Sequence, residues 1–286
     1  MPFVENAGAR LYWTETGSGP PVLLIMGLSF THEMWHRTFP ALKGYRAILF
    51  DNRGMGRSSV PRGPYSIREM AGDAQAVLRA AGAERADVIG ASMGGMIAQE
   101  LALQYPDSVN RLILACTSYS GFFGRWPDAR FAGWILGSRT ARDNRRRSLT
   151  DLLYADTTPQ ERIEEDIQIR AACISSAAGF YGQFAAILTW NAYYRLPRIS
   201  VPTLVLHGDQ DRLIPIQNGR TVARRIPGAI FREIADAGHI IMTDQPEACG
   251  EAVARFLHGQ SSPAETGIAD GDMPAVRTIA RVVEAE

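Results

Sequence analysis

The sequence carries no surplus of either charge: 30 Lys and Arg side chains balance 30 Asp and Glu. A chain with so little net charge is a poor partner for a polyanion. Nucleic acid and an anionic membrane surface are therefore set aside as main partners. No apolar run approaches the length of a membrane span, and the run Val22–Met26 has only the length of a strand. The opening residues MPFVENAGAR have neither the basic start nor the apolar core of a secretory signal. Cysteine is scarce: Cys116, Cys173 and Cys249 are widely spaced and odd in number. That pattern excludes a disulfide framework and predicts reduced core thiols in a cytoplasmic protein. Internal repeats are absent as well.

What is present is a core. The chain has 286 residues, 46% of them hydrophobic, enough for one large α/β domain or two small ones. Short β-rich runs alternate with helical stretches, which predicts a mostly parallel sheet with helices on both faces. Strands are expected at Phe3–Val4, Leu11–Thr16, VLLIM, Ala47–Phe50, Asp87–Ile89, Arg111–Leu114, Thr203–Leu206 and Ile230–Ile234. Helices are expected at Ser66–Ala81, Met93–Tyr105, Ile216–Arg225 and Pro246–Leu257.

Two stretches depart from the alternation. Residues 118–200 show no convincing strand and are rich in aromatics, among them Trp126, Trp134, Phe180 and Trp190. So long an insertion between two core strands predicts a helical cap over the core 1–117 and 201–258. After a polar linker, residues 259–286 predict a final helix with Val276, Ile279, Ala280 and Val283 on one face. That face would dock on the protein's own body or, in a homodimer, on a second subunit.

Three motifs carry chemistry. Residues 32–36, HEMWH, fit the H-E-x-x-H zinc pattern. The continuation argues against zinc. Phe39 and Leu42 stand where the extended metalloprotease pattern asks for glycine and histidine, and no third ligand is well placed. Pro40 should end or kink any helix begun there. The expected reading puts His32 and Trp35 near a pocket mouth and His36 in solvent. Next, Gly90-Ala91-Ser92-Met93-Gly94 matches G-x-S-x-G between a strand-like DVI and a helix-like stretch. That setting suits a nucleophile elbow. A dinucleotide fingerprint fits poorly, because serine in its second glycine place would crowd a pyrophosphate. Finally, a serine nucleophile needs a base and the base needs an orienting acid. His239 follows the strand-like FREI on a glycine-preceded loop, while Asp209 and Asp211 follow the strand TLVL. Serine, acid and histidine then occur in the chain order of the α/β-hydrolases.

Taken together, GASMGG at 90–95, DNRGMGRS at 51–58, LHGDQDRLIP at 206–215 and AGH at 237–239 resemble an α/β-hydrolase-fold serine hydrolase over residues 2–258. The resemblance extends to carboxylesterases, lactonases and the aclacinomycin methylesterase group. It implies an eight-stranded, mostly parallel sheet with a helical cap inserted after the sixth strand. It implies Asp211 as the triad acid, with Asp209 shaping its turn, and a structural part for the DNRGMGRS stretch. Relatives usually carry His-Gly after the third strand; here Met26-Gly27-Leu28 stands there. Because an oxyanion hole uses backbone N–H groups, its donors remain the amides of Leu28 and Met93 by similarity.

The expected enzyme is a carboxylic ester hydrolase with triad Ser92, Asp211 and His239, needing neither metal nor organic cofactor. Its substrate is a fairly apolar small molecule held by a pocket including Gly27, His32, Trp35, Trp126, Trp134, Phe180 and Trp190. Carbon–carbon bond hydrolysis, a lyase or cyclase reaction, and a ligand-binding receptor with vestigial hydrolysis are the alternatives on the same fold.

Overall fold

The computed structural model describes residues 2–122, 124–125, 149–172 and 176–260. Eight strands form one sheet: β1 (Phe3–Asn6), β2 (Ala9–Gly17), β3 (Pro21–Ile25), β4 (Arg46–Phe50), β5 (Ala86–Ala91), β6 (Val109–Ala115), β7 (Thr203–Gly208) and β8 (Ile230–Ile234). They lie in the order β1-β2-β4-β3-β5-β6-β7-β8. β1 and β2 run antiparallel to their neighbours, and the other pairings are parallel.

The continuous apolar runs reflect burial on both faces. Successive side chains of a strand alternate between faces. Leu23 and Ile25 of β3, Val88 of β5 and Leu112 of β6 join one core. There they meet α1 (Ile67–Ala80) and α2 (Met93–Gln104). Val22, Leu24, Ile89 and Ile113 join the other core with Trp35 and Phe256. α1 begins at a reciprocal cap: Ser66 Oγ accepts from Glu69 N, and Glu69 Oε2 accepts from Ser66 N. Such a cap stabilises a helix by roughly 1 kcal/mol.

Consecutive strands leave β3 in opposite directions, β4 to one side and β5 to the other. The crevice beyond the carboxyl ends of β3 and β5 is thus a topological switch point, where open α/β sheets bind ligands. Between β6 and β7 run a helical turn at 149–153, α3 (Gln160–Ala172) and α4 (Ala177–Thr189). The described part of that insertion contains no named strand. The predicted C-terminal helix lies beyond the described residues, as do Trp126, Trp134 and Cys173. No described helix is long and apolar enough to cross a membrane.

The HEMWH stretch differs from a two-histidine zinc helix. Residues His32–Leu42 form a 3-10 helix that continues through Pro40 instead of ending there. A 3-10 helix turns every three residues, so side chains four apart do not stack on one face. His32 Nδ1 pairs with Asp51 Oδ1 at 2.7 Å, while His36 Nδ1 donates to Glu33 O, in its own helix, at 3.2 Å. His36 is partly covered, its Nε2 3.7 Å from Glu165 Oε1, and does not stand free in solvent.

Candidate active site

Ser92 occupies the bend between β5 and α2 with φ 57° and ψ −121°. That is a left-handed backbone, which costs a non-glycine residue of order 1–3 kcal/mol and persists only where its surroundings enforce it. Here the amide of Ser92 donates to Ala115 O at 2.9 Å. Its carbonyl accepts from Gly95 N and from Thr117 Oγ1, at 3.0 and 2.7 Å. The neighbouring glycines are needed for space. A Cβ on Gly94 would stand 2.0 Å from Ile25 O, and one on Gly27 2.9 Å from Ser92 Cβ. Gly27 therefore lies directly against the serine.

The carboxylate and the histidine come from the ends of β7 and β8, with β6 between them and the strand that carries Ser92. Asp211 follows β7 and is buried. Its Oδ1 accepts from Leu213 N and Ile214 N, at 3.0 and 2.8 Å. Its Oδ2 lies 2.9 Å from His239 Nδ1 and 3.2 Å from His207 Nε2. Burial pushes the Asp211 carboxyl upward, but the two imidazoles beside it overcome this and hold it well below the usual carboxylate range. An ionised Asp211 can only accept, so His239 Nδ1 carries a proton, which in the neutral imidazole leaves the lone pair on Nε2. Asp209 has a different task, with its Oδ1 accepting from Ala237 N at 3.2 Å.

His207 is fully buried behind Asp211, and sequence reasoning gave it no part. Its Nε2 stands 2.7 Å from Ile214 O, an acceptor only, so that nitrogen carries a proton. Cys116, His207 and Asp211 place their ligand-type atoms within 4.8 Å of one another. That grouping excludes both HEMWH histidines. Burial pushes the Cys116 thiol well above its ordinary range.

The loop bearing His239 is held by the insertion. Leu153 O accepts from His239 N and Ile240 N, at 2.8 and 3.0 Å. Gly238 N donates to Asp244 Oδ2, and Thr158 Oγ1 donates to Asp244 Oδ1, both at 2.6 Å. Burial pushes the Asp244 carboxyl up to about 6, against those donors.

Ser92 and His239 line one cavity of about 490 Å³, a common size for a small-molecule site. Its wall is mainly apolar, with Leu28, Met93, Met96, Phe180, Phe184 and Leu213, and it includes Ser118, Asn218, Arg125 and Arg170. Of the described residues expected around the pocket, Phe180 lines it, and Gly27 abuts Ser92 without lining it. Three do neither. Trp35 is packed in the core beneath the 3-10 helix. His32 turns to Asp51. Trp190 is buried with its Nε1 donating to Glu100 Oε2 at 2.8 Å. In each case a polar partner or a core position captures the ring. Phe184 of α4, one of the insertion aromatics, lines the cavity too, while Met96, one turn beyond Ser92 on α2, and Leu213, on the loop after β7, were missed.

Comparison with known proteins bears on the fold that carries this site. The family model described as alpha/beta hydrolase fold matches residues 20–246. A poly(3-hydroxyalkanoate) depolymerase of Ectopseudomonas oleovorans is 30% identical, covering 83% of this chain and 84% of its own. A thermophilic esterase from Thermogutta terrifontis superposes with TM-score 0.76 at 28% identity, over 91% of this chain and 98% of that one. The enol-lactonase from Burkholderia xenovorans gives TM-score 0.77 at 25% identity, over 90% and 100%.

Proposed function

The chain belongs to the alpha/beta hydrolase fold family, and from that premise we propose that it hydrolyses carboxylic esters or lactones of apolar small molecules through an acyl-enzyme on Ser92. One observation carries the reading. A serine held in a left-handed bend shares a cavity with a histidine whose far nitrogen meets a buried carboxylate.

In this mechanism Ser92 Oγ attacks the substrate carbonyl carbon while His239 Nε2 takes its proton. Asp211 holds the imidazole in that tautomer and stabilises the imidazolium. The N–H groups of Leu28 and Met93 receive the oxyanion, the second aided by the positive end of α2. The imidazolium then protonates the leaving oxygen, which in a lactone stays tethered to the acyl group. Water, deprotonated by the same histidine, releases the acid and restores Ser92. The depolymerase, esterase and enol-lactonase among the relatives support bonds of this class. The apolar cavity wall supports an apolar acyl or alcohol group.

A panel of aryl esters of increasing acyl length and of simple lactones tests the proposal, with Ser92→Ala as background. Turnover should rise from acetyl to medium acyl chains, as longer chains cover more of the wall. Absence of turnover above the Ser92→Ala background across the whole panel would contradict it.

A further inference from the structure

The loop after β3 contains a second strained residue. Phe30 N donates to Gly27 O at 3.3 Å, closing a turn with Leu28 and Ser29 at its centre. Ser29 has φ 65°. A positive φ at the third position of such a turn is a place for glycine or asparagine, not serine. Something outside the turn must hold it.

The holder is a side chain of the insertion. Gln183, fully buried on α4, accepts from Ser29 N through Oε1 at 3.3 Å and donates from Nε2 to Arg53 O at 2.8 Å. One residue earlier, Asn52 Nδ2 donates to Met26 O at 2.8 Å. The turn is thus gripped at both ends from adjacent residues of the DNRGMGRS loop, directly at Met26 and through Gln183 at Ser29. The anchor is stiff. Arg53 is fixed by Asp73, its Nε 2.6 Å and Nη2 2.8 Å from the carboxylate oxygens. α4 presses onto the loop so closely that a Cβ on Gly179 would stand 2.0 Å from Gly54 O.

We infer that Gln183 is a positioning residue for the oxyanion hole: from the inserted helix it holds Ser29 in the left-handed conformation that aims the Leu28 N–H at the reacting oxygen. The inference rests on the hydrolase reading above. It also gives the DNRGMGRS stretch a role in catalysis through the backbone it steadies.

A double-mutant cycle on the full chain tests it. Gln183→Met keeps the volume and removes both hydrogen bonds. With Ser29 present, Gln183→Met should lower kcat by about tenfold or more with KM little changed, since displacing a donor by a fraction of an ångström is costly. In the Ser29→Gly background the same change should cost less than about threefold, because glycine keeps a positive φ unaided. A merely structural glutamine would give equal losses in both backgrounds, and that result overturns the inference. A crystal structure of Gln183→Met supplies a readout independent of activity. Ser29 should leave the positive-φ region and the Gly27–Phe30 turn should open; an unchanged turn overturns the inference. If Ser92→Ala were fully active, the hydrolase reading would fail and this structural readout would still decide. Should Gln183→Met not fold, Gln183→Glu is the milder variant: burial there holds its carboxyl protonated, so it keeps an acceptor before Ser29 N and an O–H donor for Arg53 O. It should then preserve the turn, and an opened turn counts against the inference.

Discussion

Ser92→Ala is expected to lower kcat on a cleavable ester by about a millionfold, the scale on which a serine nucleophile fails when its hydroxyl is removed. The fold should not suffer. The backbone of Ser92 is held by Ala115 O, Gly95 N and Thr117 Oγ1, none of which uses its hydroxyl. Its Oγ faces the cavity and leaves no packing defect when deleted. Alanine has the same aversion to φ 57° as serine, so the strain is unchanged. The thermal midpoint of Ser92→Ala should therefore match the wild type, with residual hydrolysis limited to what the oxyanion donors and binding supply. Parallel kinetics and thermal melts check both halves. A variant that loses activity only because it unfolds would not support the assignment.

Asp211→Asn should cost about 10⁴-fold in kcat, for a reason written in the hydrogen bonds. Asp211 accepts from three donors, the amides of Leu213 and Ile214 and His239 Nδ1, and its Oδ2 lies 3.2 Å from His207 Nε2. An asparagine that keeps its oxygen on the two amides must turn its NH₂ toward His239 and His207. His207 cannot yield, because its Nε2–H is committed to Ile214 O. His239 would then present a lone pair at Nδ1 and a proton at Nε2, which leaves no base for Ser92. KM should move little, since Asp211 does not line the cavity. Asp209→Asn is the matched control and should cost less than about tenfold, because Asp209 serves Ala237 N. Acid does not mimic the asparagine. With a carboxyl held well below its ordinary range, Asp211 stays ionised above that range and its support is lost only when the pH falls through its depressed value. Equal losses for the two asparagines would contradict the choice of acid.

Much of this site was legible before any coordinates. Continuous apolar runs mark strands buried on both faces, and the glycines around Ser92 mark a bend with no room for side chains. The order serine, aspartate, histidine places three groups at strand ends along one edge of the sheet. These signals are local, or follow from topology. What stayed hidden depends on contacts between distant segments. Nothing in the sequence couples Gln183 to Ser29 or Leu153 to His239, because each pair meets only after the insertion packs back on the sheet. Sequence also misplaces rings. Trp190 and Trp35 look like pocket aromatics until a buried carboxylate or a core face captures them. HEMWH shows the opposite error, a strong motif emptied of meaning by a 3-10 geometry that separates its histidines.

The most direct test is the rate at which a fluorophosphonate modifies the protein, with the adduct located by peptide mass spectrometry. The wild type should carry one phosphonyl group on Ser92, and His239→Ala should acquire it at least about a hundredfold more slowly, because the imidazole activates that oxygen. Modification elsewhere in the chain, or on Ser92 at the same rate without the imidazole, would contradict the account.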